Sequence, residues 1–299
     1  MQTHHRRTTR RDPGRRGWSV VLSLTALALT LAPTLSAPGA EAATAAGARA
    51  EWVWTRPSPR TLVDQARADG VGELFVAVPP ALGTSPDLAW VRSVSERAHA
   101  VGIRVAALGG DPGWVDDPGA GVAWAQSALA TGLFDGLHVD VEPWVRADWT
   151  SRRSAVVAGY LDALRRLQEV STLPLEADVA FWLDTVTTAD GRALDDAVAG
   201  LVDALTVMSY RTTATGPDSI TAVGARALAT GAAHGIPVRL AVETHDLRPD
   251  PDWRKQTFFG QRRSAVAVVM AAVDRASAGS PAYRGIAIED HAGWVALKP

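Results

Sequence analysis

Cysteine is absent from the 299 residues. That excludes disulfide scaffolds, thiolate metal sites, cysteine nucleophiles and a lipid-modified N-terminal cysteine. Lysine is nearly absent, with Lys255 and Lys298 the only two. There is no H-x-H or H-E-x-x-H, so His138, His245 and His291 lack the spacing of a catalytic zinc site. No G-x-S-x-G elbow is present to expose a nucleophilic serine. No metal and no organic cofactor are expected. The remaining composition, 47% hydrophobic and 21% charged, is that of an ordinary globular chain.

Residues 1–42 read as a cleavable signal peptide. Six arginines between Arg6 and Arg16 precede an apolar run from Trp18 to Ala32, and Ala40-Glu41-Ala42 offers an A-x-A cleavage site. The run is shorter than the roughly 20 residues of a membrane span. The expected product is secreted and extracellular, without a membrane anchor after cleavage. Beyond residue 42 remain 24 basic and 30 acidic residues. Such an acidic chain is a poor partner for nucleic acid or anionic lipid, where cationic contacts to phosphate dominate. Residues 43–299 are expected to form one domain and to act as a monomer.

Short apolar runs alternate with helical patterns eight times across that domain. The runs are Glu51–Trp54, Glu73–Val78, Ile103–Leu108, Gly136–Glu142, Leu175–Ala180, Ala204–Tyr210, Val238–Glu243 and Gly285–Glu289. Strands alternating with helices imply a parallel sheet with right-handed crossovers. Eight units in about 250 residues predict an α/β fold, a single (β/α)8 TIM barrel. An open doubly wound sheet would carry a glycine-rich phosphate loop after its first strand, and Trp54-Thr55-Arg56-Pro57 is not one.

Parity within the strands is more informative than their number. Leu137, Val139 and Val141 share one parity and His138, Asp140 and Glu142 the other. A barrel strand points one parity at the helices and the other inward, so the polar set is expected inside, rising toward the C-terminal mouth. By the same rule Glu176, Asp178, Arg239, Glu243 and Glu289 point inward. Crowding carboxylates in an enclosed space raises some of their pKa values and creates a proton donor near neutral pH. The bland alternative is a buried ion-pair network around Arg239. Of the eleven tryptophans, eight (Trp52, Trp54, Trp114, Trp144, Trp149, Trp182, Trp253 and Trp294) fall at, just after or close to strand ends, where a wide ring suits stacking on a sugar; Trp144 is the foremost candidate platform. The long loop Thr244–Gly260 is expected to shape the cleft.

Phe134-Asp135-Gly136-Leu137-His138-Val139-Asp140-Val141-Glu142 resembles the fourth-strand signature D-G-x-D-x-D-x-E of glycoside hydrolase family 18, the chitinases and endo-β-N-acetylglucosaminidases. Ala107-Leu108-Gly109-Gly110 is similar to that family's third-strand S-x-G-G, and Met208-Ser209-Tyr210 to its sixth-strand M-x-Y-D. The resemblance implies a carbohydrate substrate, with Glu142 protonating the glycosidic oxygen. Asp140 and Tyr210 would then hold the N-acetyl group whose carbonyl oxygen replaces an enzyme nucleophile. Two positions depart from the pattern. His138 stands in place of the innermost aspartate, and Arg211 in place of the aspartate after the tyrosine.

A second resemblance is to the retaining barrel glycosidases. Glu142 would be their acid/base and Glu243 their nucleophile, with the carboxyls about 5 Å apart. Both schemes use Glu142. A third reading, prompted by His138 and Arg211, is a barrel that binds carbohydrate without cleaving it. In all three, His138, Trp144, Asp178, Arg239, Trp54, Trp182, Trp294 and Glu289 are candidate substrate-binding residues.

Overall fold

The computed structural model describes residues 48–299; the expected signal peptide lies outside them. Strands β1 (Ala48–Val53), β2 (Val71–Ala77), β3 (Arg104–Gly109), β4 (Gly136–Val139), β5 (Leu175–Ala180), β6 (Ala204–Met208), β7 (Val238–Glu243) and β8 (Tyr283–Glu289) close into a parallel barrel in chain order. The helices are α1 (Pro59–Ala68), α2 (Leu88–Ala100), α3 (Pro118–Leu129), α4 (Arg153–Val170), α5 (Leu194–Ala199), α6 (Ile220–His234), α7 (Trp253–Gln256), α8 (Arg263–Ser277) and α9 (His291–Ala296). Each apolar run read as a strand overlaps one of the eight. The structure ends β4 and β6 before the polar residues that finish those runs, because the chain there leaves the ladder to build the mouth.

The parity rule holds. Leu74, Val76, Leu137, Val139, Leu240 and Val242 belong to one outer core with Leu62, Val91 and Leu164 of the helices. A separate inner cluster of Ala50, Trp52, Phe75, Ala106, Leu108, Ala241 and Ala287 fills the middle of the barrel. The aspartates preceding two strands act as ties between neighbours. Asp135 Oδ2 accepts the Val105 N–H at 2.8 Å, and Asp203 Oδ2 accepts that of Leu175 at 2.8 Å. Each satisfies a backbone donor at the start of a strand that the ladder leaves open.

Beneath the apolar layer, Arg239 is 1% exposed. Its guanidinium donates to both oxygens of Glu176, at 2.9 and 2.8 Å, and to Glu73 Oε2 at 2.5 Å. Arg284 joins through Glu73 Oε2 at 3.0 Å. Its entry depends on a bulge. The β7–β8 register pairs Val238 with Tyr283 but Arg239 with Gly285, which leaves Arg284 as the extra residue. Gly285 completes the bulge at φ 130°, where a Cβ would lie 2.1 Å from the Ala48 carbonyl oxygen; only glycine fits.

Burial alone would raise the Glu176 carboxyl, but the charges of Arg239, His138 and Arg284 hold it below the usual carboxylate range. A carboxyl depressed in the folded state adds stability that is full above the unfolded value and lost as pH falls below it. Replacing Arg239 with Met removes the cation that bonds both glutamates most closely and leaves Arg284 3.0 Å from Glu73 and 3.7 Å from Glu176, so we expect a loss of about 3 kcal/mol at pH 7. Urea denaturation measures it, and the gap from the parent should narrow as pH falls through the carboxylate range.

Candidate active site

Above the apolar layer, β4 and β5 present three acids to one space. The β4–β5 register sets His138 opposite Glu176, so Asp140 and Asp178 stand side by side one inward position higher and Glu142 rises above them. Beyond the regular end of β4 the chain stays in register through the Asp140 N–H, which donates to the Gly109 carbonyl at 2.9 Å. This approach requires Gly110, where a Cβ would sit 1.9 Å from the Asp140 carbonyl oxygen. The paired glycines of the third strand thus serve the position of the fourth.

Burial raises the Asp140 carboxyl well above its ordinary value, and the charges of Asp178 and Glu142 raise it further. Its Oδ1 is buried with no hydrogen-bond partner. Glu142 is partly exposed at the mouth. Burial and then the charge of Asp178 raise its carboxyl, against an indole N–H donated by Trp144. Glu142 is therefore a partly exposed carboxyl raised above its ordinary value, within reach of the charge of Asp178.

A second acidic group lies on β7 and β8, where Glu243 is paired in register with Glu289. Glu243 Oε1 accepts the N–H groups of Thr244 at 2.7 Å and His245 at 2.6 Å. Burial nevertheless raises its carboxyl. Glu289 is raised well above the ordinary value by burial and then by the charge of Glu243, although its Oε1 accepts the Trp54 indole N–H at 2.7 Å. Next in the chain, Asp290 binds His245 Nε2 at 2.5 Å. Burial opposes ionisation of Asp290, but the bonds from His245 and the Gly293 N–H hold it below the usual range. Tyr210, extending β6 between the two groups, has its hydroxyl raised by burial and then by Glu289, Glu243, Asp178 and Asp140.

Several expected binding residues lie elsewhere. Trp294 is 4% exposed in the outer core, and its indole donates to Asp69 in the turn after α1; it does not line the mouth. Arg239 belongs to the base network, sealed from the mouth by the apolar layer. His138 is fully enclosed, stacked on Phe75 at 3.7 Å with Nε2 2.9 Å from Asp178 Oδ2, and Asp178 is equally out of reach. None of these four can touch a sugar directly. Trp54 is the most open of the expected rings at 39% exposure. Trp144 and Trp182 meet edge to face at 5.6 Å, with Trp149 6.5 Å from Trp182.

Glu73, Arg284, the Trp52–Phe75 pair and the Asp290–His245 pair were not singled out from sequence. The alternation Glu73, Phe75, Ala77 carried a usable signal for Glu73. Arg211 has a structural task. Its Nε donates to Asp218 at 2.7 Å and its Nη1 to the Tyr210 carbonyl at 2.8 Å, while the guanidinium lies 4.9 Å from the centre of the Phe181 ring. It clamps the chain at the end of β6. The long loop after β7 closes on its own neck: the Thr257 hydroxyl donates to the His245 carbonyl at 2.6 Å and the Phe258 N–H to that of Glu243 at 2.9 Å, as in a compact Ω-loop.

A carboxyl whose pKa is raised by folding costs stability above its unfolded value, because the folded state gives up that proton less readily. We expect Glu289→Gln to stabilise the protein at pH 8 by about 0.5–2 kcal/mol and to leave stability at pH 4 nearly unchanged. Thermal unfolding at the two pH values measures this.

No family model matches the sequence, and no curated protein matches it. Solved structures do. A class V chitinase from Pseudomonas fluorescens Pf-5 aligns with a TM-score of 0.50 at 13% identity, over 84% of this chain and 98% of that one. The spore cortex-lytic enzyme SleL from Bacillus megaterium QM B1551 aligns with a TM-score of 0.51 at 12% identity, over 83% of this chain and 72% of that one. At such identities the likeness is one of fold, and this chain shares the eight-stranded α/β barrel of these two proteins.

Proposed function

We propose that the protein is a glycoside hydrolase that cleaves a β-linked, N-acetylated glycan, with Glu142 as the general acid. One observation carries this reading: a partly exposed carboxyl at the mouth is held toward its protonated form by burial and by the charge of Asp178. A donor tuned this way is what departure of a sugar at neutral pH demands.

Cleavage begins as the Glu142 proton passes to the glycosidic oxygen while the bond from that oxygen to the anomeric carbon breaks. The acetamide carbonyl oxygen of the same sugar closes on the anomeric carbon and forms a cyclic oxazolinium ion. Asp140, with its unpartnered Oδ1, accepts the acetamide N–H, and the Tyr210 hydroxyl donates to the carbonyl side. Glu142, now a carboxylate, then removes a proton from water as the water oxygen attacks the anomeric carbon and the ring reopens. Trp144, tethered to Glu142 through its N–H, offers its face to the neighbouring sugar.

The alternative with Glu243 as nucleophile is favoured by one feature, the two backbone N–H groups that support its ionised form. In that scheme the glycosyl group forms an ester with Glu243 instead of an oxazolinium ion. Secretion through residues 1–42 would bring the enzyme to polymers that do not enter cells. Among the described residues, no helix is long and apolar enough to cross a membrane.

Chitin oligosaccharides are the first substrates to test, since a class V chitinase shares the fold. Glu142→Gln is expected to lower kcat by about a hundred- to ten-thousandfold while oligosaccharide binding persists. Glu243→Gln should retain most activity, and a 2-deoxy-2-fluoroglycoside should leave no adduct on Glu243. Full activity in Glu142→Gln would reject the proposed acid. An adduct on Glu243 would establish the second scheme, and binding without turnover in the parent would make the barrel a carbohydrate-binding protein.

A further inference from the structure

Asp178 is 2% exposed, and its one salt-bridge partner among the described residues is the imidazole of His138. Two nitrogens converge on its Oδ2, His138 Nε2 at 2.9 Å and the Trp52 indole at 3.2 Å. An indole N–H only donates, so Oδ2 already acts as an acceptor, and the imidazole meets it as a second donor. Neither ring has room to swing away. His138 is stacked on Phe75 with 21° between planes and meets Trp52 edge-on at 5.6 Å. Its Nδ1 has no hydrogen-bond partner and faces Glu176 Oε1 at 4.0 Å.

The groups around Asp178 come from every neighbouring element. His138, Asp140 and Glu142 face it from β4, Glu176 lies below it on β5, and Tyr210 faces it from β6. The Tyr160 hydroxyl approaches from α4 with no hydrogen-bond partner, and Trp52 comes from β1. Asp178 Oδ1 is likewise buried and unpartnered. Burial raises the Asp178 carboxyl, and the charge and hydrogen bond of His138 and the Trp52 N–H act against it; as a carboxylate it raises Asp140, Glu142, Tyr160 and Tyr210 alike. It is the common neighbour of the upper barrel.

We propose that His138 and Asp178 form one positioning unit for proton transfer by Glu142: the imidazole and the Trp52 indole hold Asp178 as a carboxylate, and that fixed negative charge keeps the transferable proton on Glu142. The unit rests on the reading of Glu142 as the acid and touches no substrate. It occupies two positions, 138 and 178, that cannot contact a sugar. Histidine at 138 makes this possible, because an aspartate there would add charge beside Asp178 instead of binding it.

The test uses the full chain and two readouts, a 13C-carboxyl NMR titration of Glu142 and the pH profile of oligosaccharide hydrolysis. Asp178→Asn should move the Glu142 midpoint down by about one unit of pH, and the alkaline limb of kcat/KM should follow. His138→Phe should move it the same way, since Asp178 then takes up a proton. The double variant should go no further than Asp178→Asn alone, as expected for groups acting as one. Trp52→Phe keeps a ring and drops only the N–H, and it should give a smaller shift in the same direction. An unmoved Glu142 midpoint in folded Asp178→Asn, or additive shifts in the double variant, would overturn the unit. A moved midpoint together with an active Glu142→Gln would leave the unit standing and reject only the acid role.

Discussion

The charge of the Arg239 guanidinium, enclosed on the barrel interior, is spent entirely on Glu176 and Glu73. That confinement sets the electrostatics of everything above it. Trp52, Phe75 and Leu108 fill the barrel between these ion pairs and the mouth, where burial raises the carboxyls of Asp140, Glu142 and Glu289. In a low-dielectric space, an acid without a cation has its pKa raised. The base of the barrel is thus charge-compensated, while the carboxyls at the mouth are raised by burial and by one another.

The two acidic groups at the mouth solve the same problem differently. On β4 and β5 the ring nitrogens of His138 and Trp52 bond Asp178, while burial and the charge of Asp178 raise the carboxyls of Asp140 and Glu142. On β7 and β8 backbone N–H groups support Glu243, while Glu289 is driven toward neutrality beside it. Tyr210 spans the gap between the groups. Arg211 fixes the chain at that point by bonding the Tyr210 carbonyl, so a residue that breaks the sixth-strand motif still supports the tyrosine within it. Lower stability at neutral pH is the cost of gathering raised carboxyls in one space.

Much of this was legible in the chain. Alternation of apolar and polar residues fixed which side chains enter the barrel, since a strand has a side-chain period of two and no freedom to violate it. His138, Asp140, Glu142, Glu176, Asp178, Arg239, Glu243 and Glu289 all follow that rule. Parity could not say at which height the barrel is open. Arg239 and His138 carry the inward parity, but Arg239 lies under the apolar layer and His138 within it, stacked on Phe75, so neither opens to the mouth. Trp294 was misread for a different reason: its nearness in sequence to the end of β8 says nothing about which side of the wall its ring occupies.

The sequence by itself determined the eight-fold alternation, the inward set of acids and the residue at the rim, because these depend on local periodicity and on the order of elements. Only the tertiary structure decided which acids share a cation and which stand alone. It brought Glu73 from β2 to Arg239 on β7, admitted Arg284 through a bulge, and set Trp52 from β1 against Asp178 on β5. Such pairings join residues more than a hundred positions apart. Ring closure creates them, and the proton affinity of each carboxyl follows from the neighbours that closure supplies.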